Sequence, residues 1–260
     1  MMRALYIAKT GMDSSQFQLD VVSNNLANSN TKGFKKGHAV FEDLYYQTLR
    51  QPGSQLSNGN SLPTGLQVGT GSTVVATARI HSQGNLESTE QPLDLAINGD
   101  GFFRVQQPDG SIAYTRNGEF RRNENGDIVN SSGYLLDPAI NIPADATSIT
   151  ISEAGVVQYF QPNNATPTTA GTIQLTTFIN PQGLQSIGQN LYLQTQASGD
   201  PQDGDPLTDG RGSVRSGFLE ASNVNVTEEL VNMITAQRSF EMNSRAIKTA
   251  DEMLQRIAQL

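Results

Sequence analysis

The residues that could do chemistry are few, and their spacing points away from catalysis. The two histidines of this 260-residue chain, His38 and His81, stand in unrelated contexts with no partner at metal-ligand or general-base spacing. Cysteine is absent, which excludes disulfides and thiolate metal sites. The glycine pairs in "GTGSTV" (69 to 74) and "GDGFFR" (99 to 104) do not complete G-x-G-x-x-G, open no helical pattern and lack a P-loop lysine, so both read as tight turns. One carboxylate cluster exists, Asp200, Asp203, Asp205 and Asp209. Its spacing departs from the D-x-[DN]-x-[DN]-G loop and no Glu closes it, so a solvated acidic loop is expected over a calcium site. Lys32, Lys35 and Lys36 beside Phe34 read in the same way as a solvated basic loop rather than a nucleic-acid contact. The expectation is a protein with no catalytic residue, cofactor or metal, no small-molecule substrate and no nucleic-acid partner.

Charge supports this. The formal net charge is -8, and residues 75 to 215, with 15 acidic and 7 basic side chains, hold all of it. An acidic middle lacks the basic footprint that phosphate binding needs. All five lysines lie outside residues 37 to 247, so two kinds of surface are present. Charged residues make up 16% of the chain, against roughly 25% in an average domain. Asn, Gln, Ser, Thr and Gly take up the difference, a β-rich and loop-rich composition. No apolar run approaches the roughly 18 to 20 residues that span a bilayer. "ALYIA" is cut by Lys9 before it can serve as a signal-peptide core, so if the protein leaves the cytoplasm another machine exports it.

The elements that position these residues follow from periodicity. Leu5, Met12, Leu19 and Leu26 recur every seventh residue, with Ala8, Ser15, Val22 and Ser29 three later. "NSNTKG" then supplies turn chemistry that ends a helix near Ala27 to Ser29. At the other end Val226, Met233, Phe240, Ile247 and Leu254 repeat the same interval, with Leu230, Gln237, Ser244 and Asp251 read as a mostly polar second row. Asn225 with Glu228 gives this helix a capping box. Stripes this narrow want another helix. A helix pair inside one chain and a seam between copies both satisfy them. The polar second row tilts the reading toward assembly, with Leu5, Met12, Leu19, Val22, Leu26, Val226, Leu230, Met233, Phe240, Ile247 and Leu254 as the candidate interface.

Between the helices, turn signals recur every 8 to 12 residues around short branched or aromatic runs such as "GFFRV", "SIAYT", "SITI", "GVVQYF" and "NLYLQT". Residues 48 to 73, rich in Pro and Gly, read as an extended connector without secondary structure. The fold class expected is α+β: terminal α-helices in a coiled-coil assembly domain (1 to 30 and 222 to 260), an extended connector (31 to 74 and 210 to 221) and a mainly β central domain (75 to 209).

At "LDVVSNNLANSNTKGFKK" (19 to 36) the chain resembles the flagellar rod and hook family, whose signature is a helix ending in N-N-L-A-N followed by T-x-G-F. Asn24, Asn25, Leu26, Ala27, Asn28, Thr31, Gly33 and Phe34 fill its positions. "SNVNVTEELVNMITAQRSFEMNSRAIKTADEML" (222 to 254) looks like the family's partner helix, and "GNLESTEQPLDLAINGDGFFRV" (84 to 105) resembles its shared central domain. "FEDLYYQTLRQPG" (41 to 53) looks most like the distal-rod branch of that family. The resemblance implies a structural subunit that polymerises with itself into a rigid hollow shaft transmitting torque from motor to hook. It further implies a basal-body location crossing the periplasm. The implied partners are proximal rod and hook or hook-junction proteins, the P-ring and L-ring bushing and the flagellar type III export apparatus. A proximal rod or hook subunit is the nearest alternative. A secreted β-domain carbohydrate binder is a different class, poorly served by a chain without Trp.

Overall fold

The structure, a computed structural model, describes residues 2–51, 64–162 and 164–258. These form two compact units: Met1–Ala27, Gly37–Ala78 and Asn225–Leu260 in the first, Asn28–Lys36 and Arg79–Val224 in the second. The chain therefore passes between them at 27/28, 36/37, 78/79 and 224/225. Helices at both ends and a mainly β middle make the fold α+β, as expected.

Two long helices dominate the first unit, α1 (Met2–Ala27) and α2 (Val226–Ala258). α1 stops where "NSNTKG" begins. α2 starts at the Asn225 cap, whose Oδ1 accepts the backbone N–H of Thr227 at 3.0 Å and of Glu228 at 3.4 Å, with Glu228 and Glu229 at the positive end of the helix dipole. Gly37–Asp43 pairs with Ser72–Arg79. Tyr46–Arg50 pairs antiparallel with Leu66–Gly69, joining Tyr46 to Gly69 and Thr48 to Gln67.

That last ladder corrects the expectation of a structureless connector over 48 to 73. On its described flanks the segment is a hairpin arm, while residues 52–63 lie outside the described residues. Composition concealed the arm because Pro and Gly crowd the middle of the segment, whereas Thr48, Leu49, Leu66 and Val68 supply β-type residues at its ends.

The second unit is built on a nine-stranded antiparallel sheet. Its main path runs Gln185–Gly188, Leu191–Leu193, Ile112–Thr115, Phe102–Gln106, Leu135–Asp137, Ile128–Asn130, Phe120–Arg122. Leu175–Thr177 also pairs with Phe102–Gln106 and carries Gln202–Gly204 on its outer edge. A three-stranded sheet (Ser148–Ile151, Val156–Gln161, Asn164–Thr172) and the pairs Leu95–Asn98 with Ser213–Ser216 and Leu86–Ser88 with Phe218–Glu220 complete it.

The period-2 geometry of a strand explains the central residues. Phe103 and Val105 point into the main core with Leu95, Ile97, Phe120, Ile128 and Leu136, the Phe103 and Phe120 rings meeting edge to face at 5.3 Å. Phe102 points the other way, into a second cluster with Tyr114, Phe178, Leu184 and Tyr192. With both faces covered, Phe102 and Phe103 can be apolar in succession rather than alternating with polar residues.

Candidate functional site: the helix pair and the signature loop

α1 and α2 run antiparallel, since Asn25 meets Glu229 at one end while Gly11 meets Asn243 fourteen positions along each helix. On α1 the residues turned inward are Leu5, Ala8, Met12, Ser15, Leu19, Val22 and Leu26; Ala8, Ser15 and Val22 are buried and the others half-buried. On α2 they are Glu229, Met233, Ala236, Phe240, Asn243, Ile247, Ala250 and Leu254, spaced alternately by four and three. This is the a/d spacing of a two-helix seam.

The second row of α2 is therefore Glu229, Ala236, Asn243 and Ala250, not the Leu230, Gln237, Ser244 and Asp251 row read from the sequence. Small residues carry little hydropathy signal, yet they let the backbones approach. A Cβ on Gly11 would lie 2.8 Å from the Asn243 side chain. Val226 and Leu230 are 43% and 44% exposed. In the register set by Asn25 and Glu229, Val226 falls past the end of α1, and Leu230 points off the seam.

The signature residues divide between the units. In the first, Asn25 is buried and clamps the start of the strand that follows. Its Oδ1 accepts the Gly37 N–H at 2.8 Å, and its Nδ2 donates to the Gly37 carbonyl at 2.9 Å and to the Glu229 carboxylate at 3.1 Å. Leu26 is half-buried, while Asn24 and Ala27 are exposed. In the second unit, Thr31 donates to Asn28 Oδ1 at 3.1 Å, and Phe34 is buried beneath the Arg79 guanidinium at 5.3 Å. Gly33 is obligatory on two grounds. Its φ is +70°, and a Cβ there would lie 2.6 Å from the backbone of Arg116 and Asn117.

A second asparagine clamp was not singled out by sequence reasoning. Asn223 Oδ1 accepts the Lys36 N–H at 2.7 Å, and its Nδ2 donates to the Ile80 carbonyl at 2.8 Å. Each unit thus uses one asparagine to fix a segment next to a crossing.

The basic cluster also differs from expectation. Lys35 is buried, not solvated, with its Nζ 2.7 Å from Glu220 Oε1 and 2.7 Å from the Ser82 carbonyl. Glu220 Oε1 also accepts the Gly84 N–H at 2.8 Å, and Arg116 lies 3.5 Å from Glu220 Oε2. Lys32 pairs with the exposed Glu87. The partner of Lys35 is 185 residues away, beyond any local pattern. In the acidic loop, Asp203 is engaged by Arg104 at 2.7 Å and Asp209 by Arg211 at 3.0 Å.

His81 packs edge-on to Phe102 at 5.5 Å and Tyr192 at 5.7 Å. Burial, then the cations Lys35, Arg116 and Arg79, push its pKa down from 6.5 to about 4, opposed by a hydrogen bond with Pro181. The unfolded chain thus binds a proton that the folded unit refuses between pH 6.5 and about 4, so stability falls as pH drops through that window. About 2 to 3 kcal/mol should be lost between pH 7 and 4.5 from this group. Urea titrations of His81→Gln should show a correspondingly shallower pH dependence than the parent. An unchanged slope would mean that the folded protein lets His81 charge freely.

A helix seam, an asparagine-clamped signature and a β unit describe an assembly protein, and the comparisons agree. Residues 5–35 match the family described as flagella basal body rod protein, 96–159 the flagellar hook protein FlgE/F/G D1 domain, and 215–260 the flagellar basal body rod FlgEFG protein C-terminal domain. The chain belongs to the flagellar basal-body rod and hook family; it is a structural protein and not an enzyme. It is 50% identical over 260 residues to the flagellar basal-body rod protein FlgG of Buchnera aphidicola subsp. Acyrthosiphon pisum, covering all of both chains. It is 48% identical to FlgG of Caulobacter vibrioides, over all of this chain and 99% of that one. FlgG of Bacillus subtilis is 41% identical over the same shares.

Proposed function

We propose that the chain is the subunit of the flagellar distal rod, polymerising through α1 and α2 into a straight, hollow drive shaft. The observation that carries this reading is an apolar face that the helix pair leaves uncovered. Val226, Leu230, Val231 and Ile234 are 43% to 58% exposed at one end of α2. Met2, Tyr6 and Ile7 of α1 and Met253 of α2 are exposed toward the other end. Exposed apolar side chains gathered in this way mark an interaction surface, and a coiled-coil layer made with neighbouring copies would cover them.

Identical subunits joined by heterologous contacts that do not close form an open helix, so torque passes through many small contacts. The hairpin arm of Tyr46–Arg50 and Leu66–Gly69 supports a stiffening role between neighbours. All five residues of its first strand are exposed, and an isolated two-stranded hairpin is marginal in water. The acidic second unit would face outward within the P-ring and L-ring bushing and keep the shaft hydrated. Proximal rod and hook or hook-junction proteins would cap the ends, and the type III apparatus would export the chain to its place across the periplasm.

Electron microscopy of the concentrated full chain tests this reading. Straight tubes are expected. Curved tubes would favour a hook subunit, and persistent monomers would remove the assembly role.

A further inference from the structure

The second unit contains a cleft of about 340 Å³ that, among the described residues, is lined only by Asn, Gln, Ser and Thr. Three of its amides have their oxygens already taken. Asn117 Oδ1 accepts the Glu119 N–H at 3.1 Å. Asn130 Oδ1 accepts those of Ser132 and Tyr134 at 3.0 and 2.8 Å. Gln189 Oε1 accepts the Tyr134 hydroxyl at 3.3 Å. A backbone N–H can only meet an amide oxygen, so the orientation of both asparagines is fixed. Each of the three is left with an NH₂ that has no acceptor among the described residues. Ser131 and Ser132, both exposed on the same cleft, add hydroxyls.

The cleft therefore offers free amide donors beside hydroxyls and the Asn190 Oδ1, which can accept, and none of these groups is charged. A carboxylate or phosphate would find no cation here. A peptide would find nothing apolar for its side chains. A sugar chain presents ring, hydroxyl and acetamido oxygens to accept these hydrogens, and the cleft falls in the size range of small-ligand sites, roughly 300 to 1,000 Å³.

We propose that this cleft binds an uncharged glycan through the free amide donors of Asn117, Asn130 and Gln189. Among the described residues no aromatic ring lines the cleft to stack on a sugar, so affinity is in the millimolar range and insensitive to salt. The inference stands apart from the assembly reading, because none of these residues belongs to the helix pair.

The experiment follows the side-chain amide NMR signals of full-length chain, labelled at Asn and Gln and held below its polymerising concentration. Triacetylchitotriose, cellotriose and trialanine are titrated separately to tens of millimolar. At least one saccharide is expected to shift the Asn117, Asn130 and Gln189 signals while trialanine does not. Asn130→Asp, Asn117→Asp and Gln189→Glu each keep the accepting oxygen but lose the donor. Each is expected to weaken saccharide binding about tenfold with an unchanged melting temperature. Silence toward both saccharides, equal shifts from trialanine, or full binding by the carboxylate variants would overturn the proposal.

Discussion

A chain carrying Leu230→Asp and Ile234→Asp should remain a folded monomer and form no polymer at concentrations where the parent forms tubes. Leu230 and Ile234 are 44% and 51% exposed on the face of α2 turned away from α1. The substitutions therefore spare the inward rows of the seam within the chain. Covering each side chain by a neighbour contributes about 1 kcal/mol. A carboxylate placed in that contact adds a desolvation cost of several kcal/mol. The pair together amounts to on the order of 5 kcal/mol, which raises the critical concentration by more than about a thousandfold. Light scattering of the purified chain and the swimming of cells carrying it both read the effect. Parent-like polymerisation would show that this face is free in the assembly.

Leu19→Asp or Met233→Asp acts differently, because Leu19 and Met233 lie half-buried on the inward rows of the helix pair. Those variants should lose helicity in the monomer as well as assembly. The outer-face variant is thus the cleaner probe of contacts between copies.

The second large effect is expected at Glu220. Glu220→Ala leaves Lys35 and Arg116, both enclosed, without their carboxylate, and leaves the Gly84 N–H without its acceptor. Removing one partner of a buried ion pair costs about 3 to 5 kcal/mol, enough to unfold much of the β unit at ordinary temperature. Glu220→Gln keeps the acceptor for Gly84 and removes only the charge. Adding Lys35→Met to it should recover part of the loss, since the stranded cation is then gone. Denaturant melts of the two single variants and the double variant measure this. Additive losses in the double variant would mean that the two side chains do not compensate each other.

How far these features could be read from sequence follows from their range. The apolar rows Leu5 to Leu26 and Met233 to Leu254 and the Asn225 cap were legible because their signals repeat within one helix. The row Glu229, Ala236, Asn243 and Ala250 was not, since polar and small residues carry little hydropathy signal and their role depends on how closely α1 approaches. The strands around "GFFRV" and "SIAYT" were visible as apolar runs, yet their order in the sheet rests on pairings such as Leu175 with Phe103 that join distant segments.

Asn25 stood out only through its place in the family signature, because its partners Gly37 and Glu229 come from other elements. Lys35 was misread for a related reason. Three lysines in five residues look solvated until Glu220 closes over one of them.

Helical reconstruction of the polymer by cryo-electron microscopy would locate both helices and the β unit in the assembled shaft. α1 and α2 are expected in the innermost layer, with Leu230 and Ile234 of each copy packed against helices of a neighbour and the β unit outside. A polymer with those side chains facing open solvent, or one held together through the β unit alone, would contradict that arrangement.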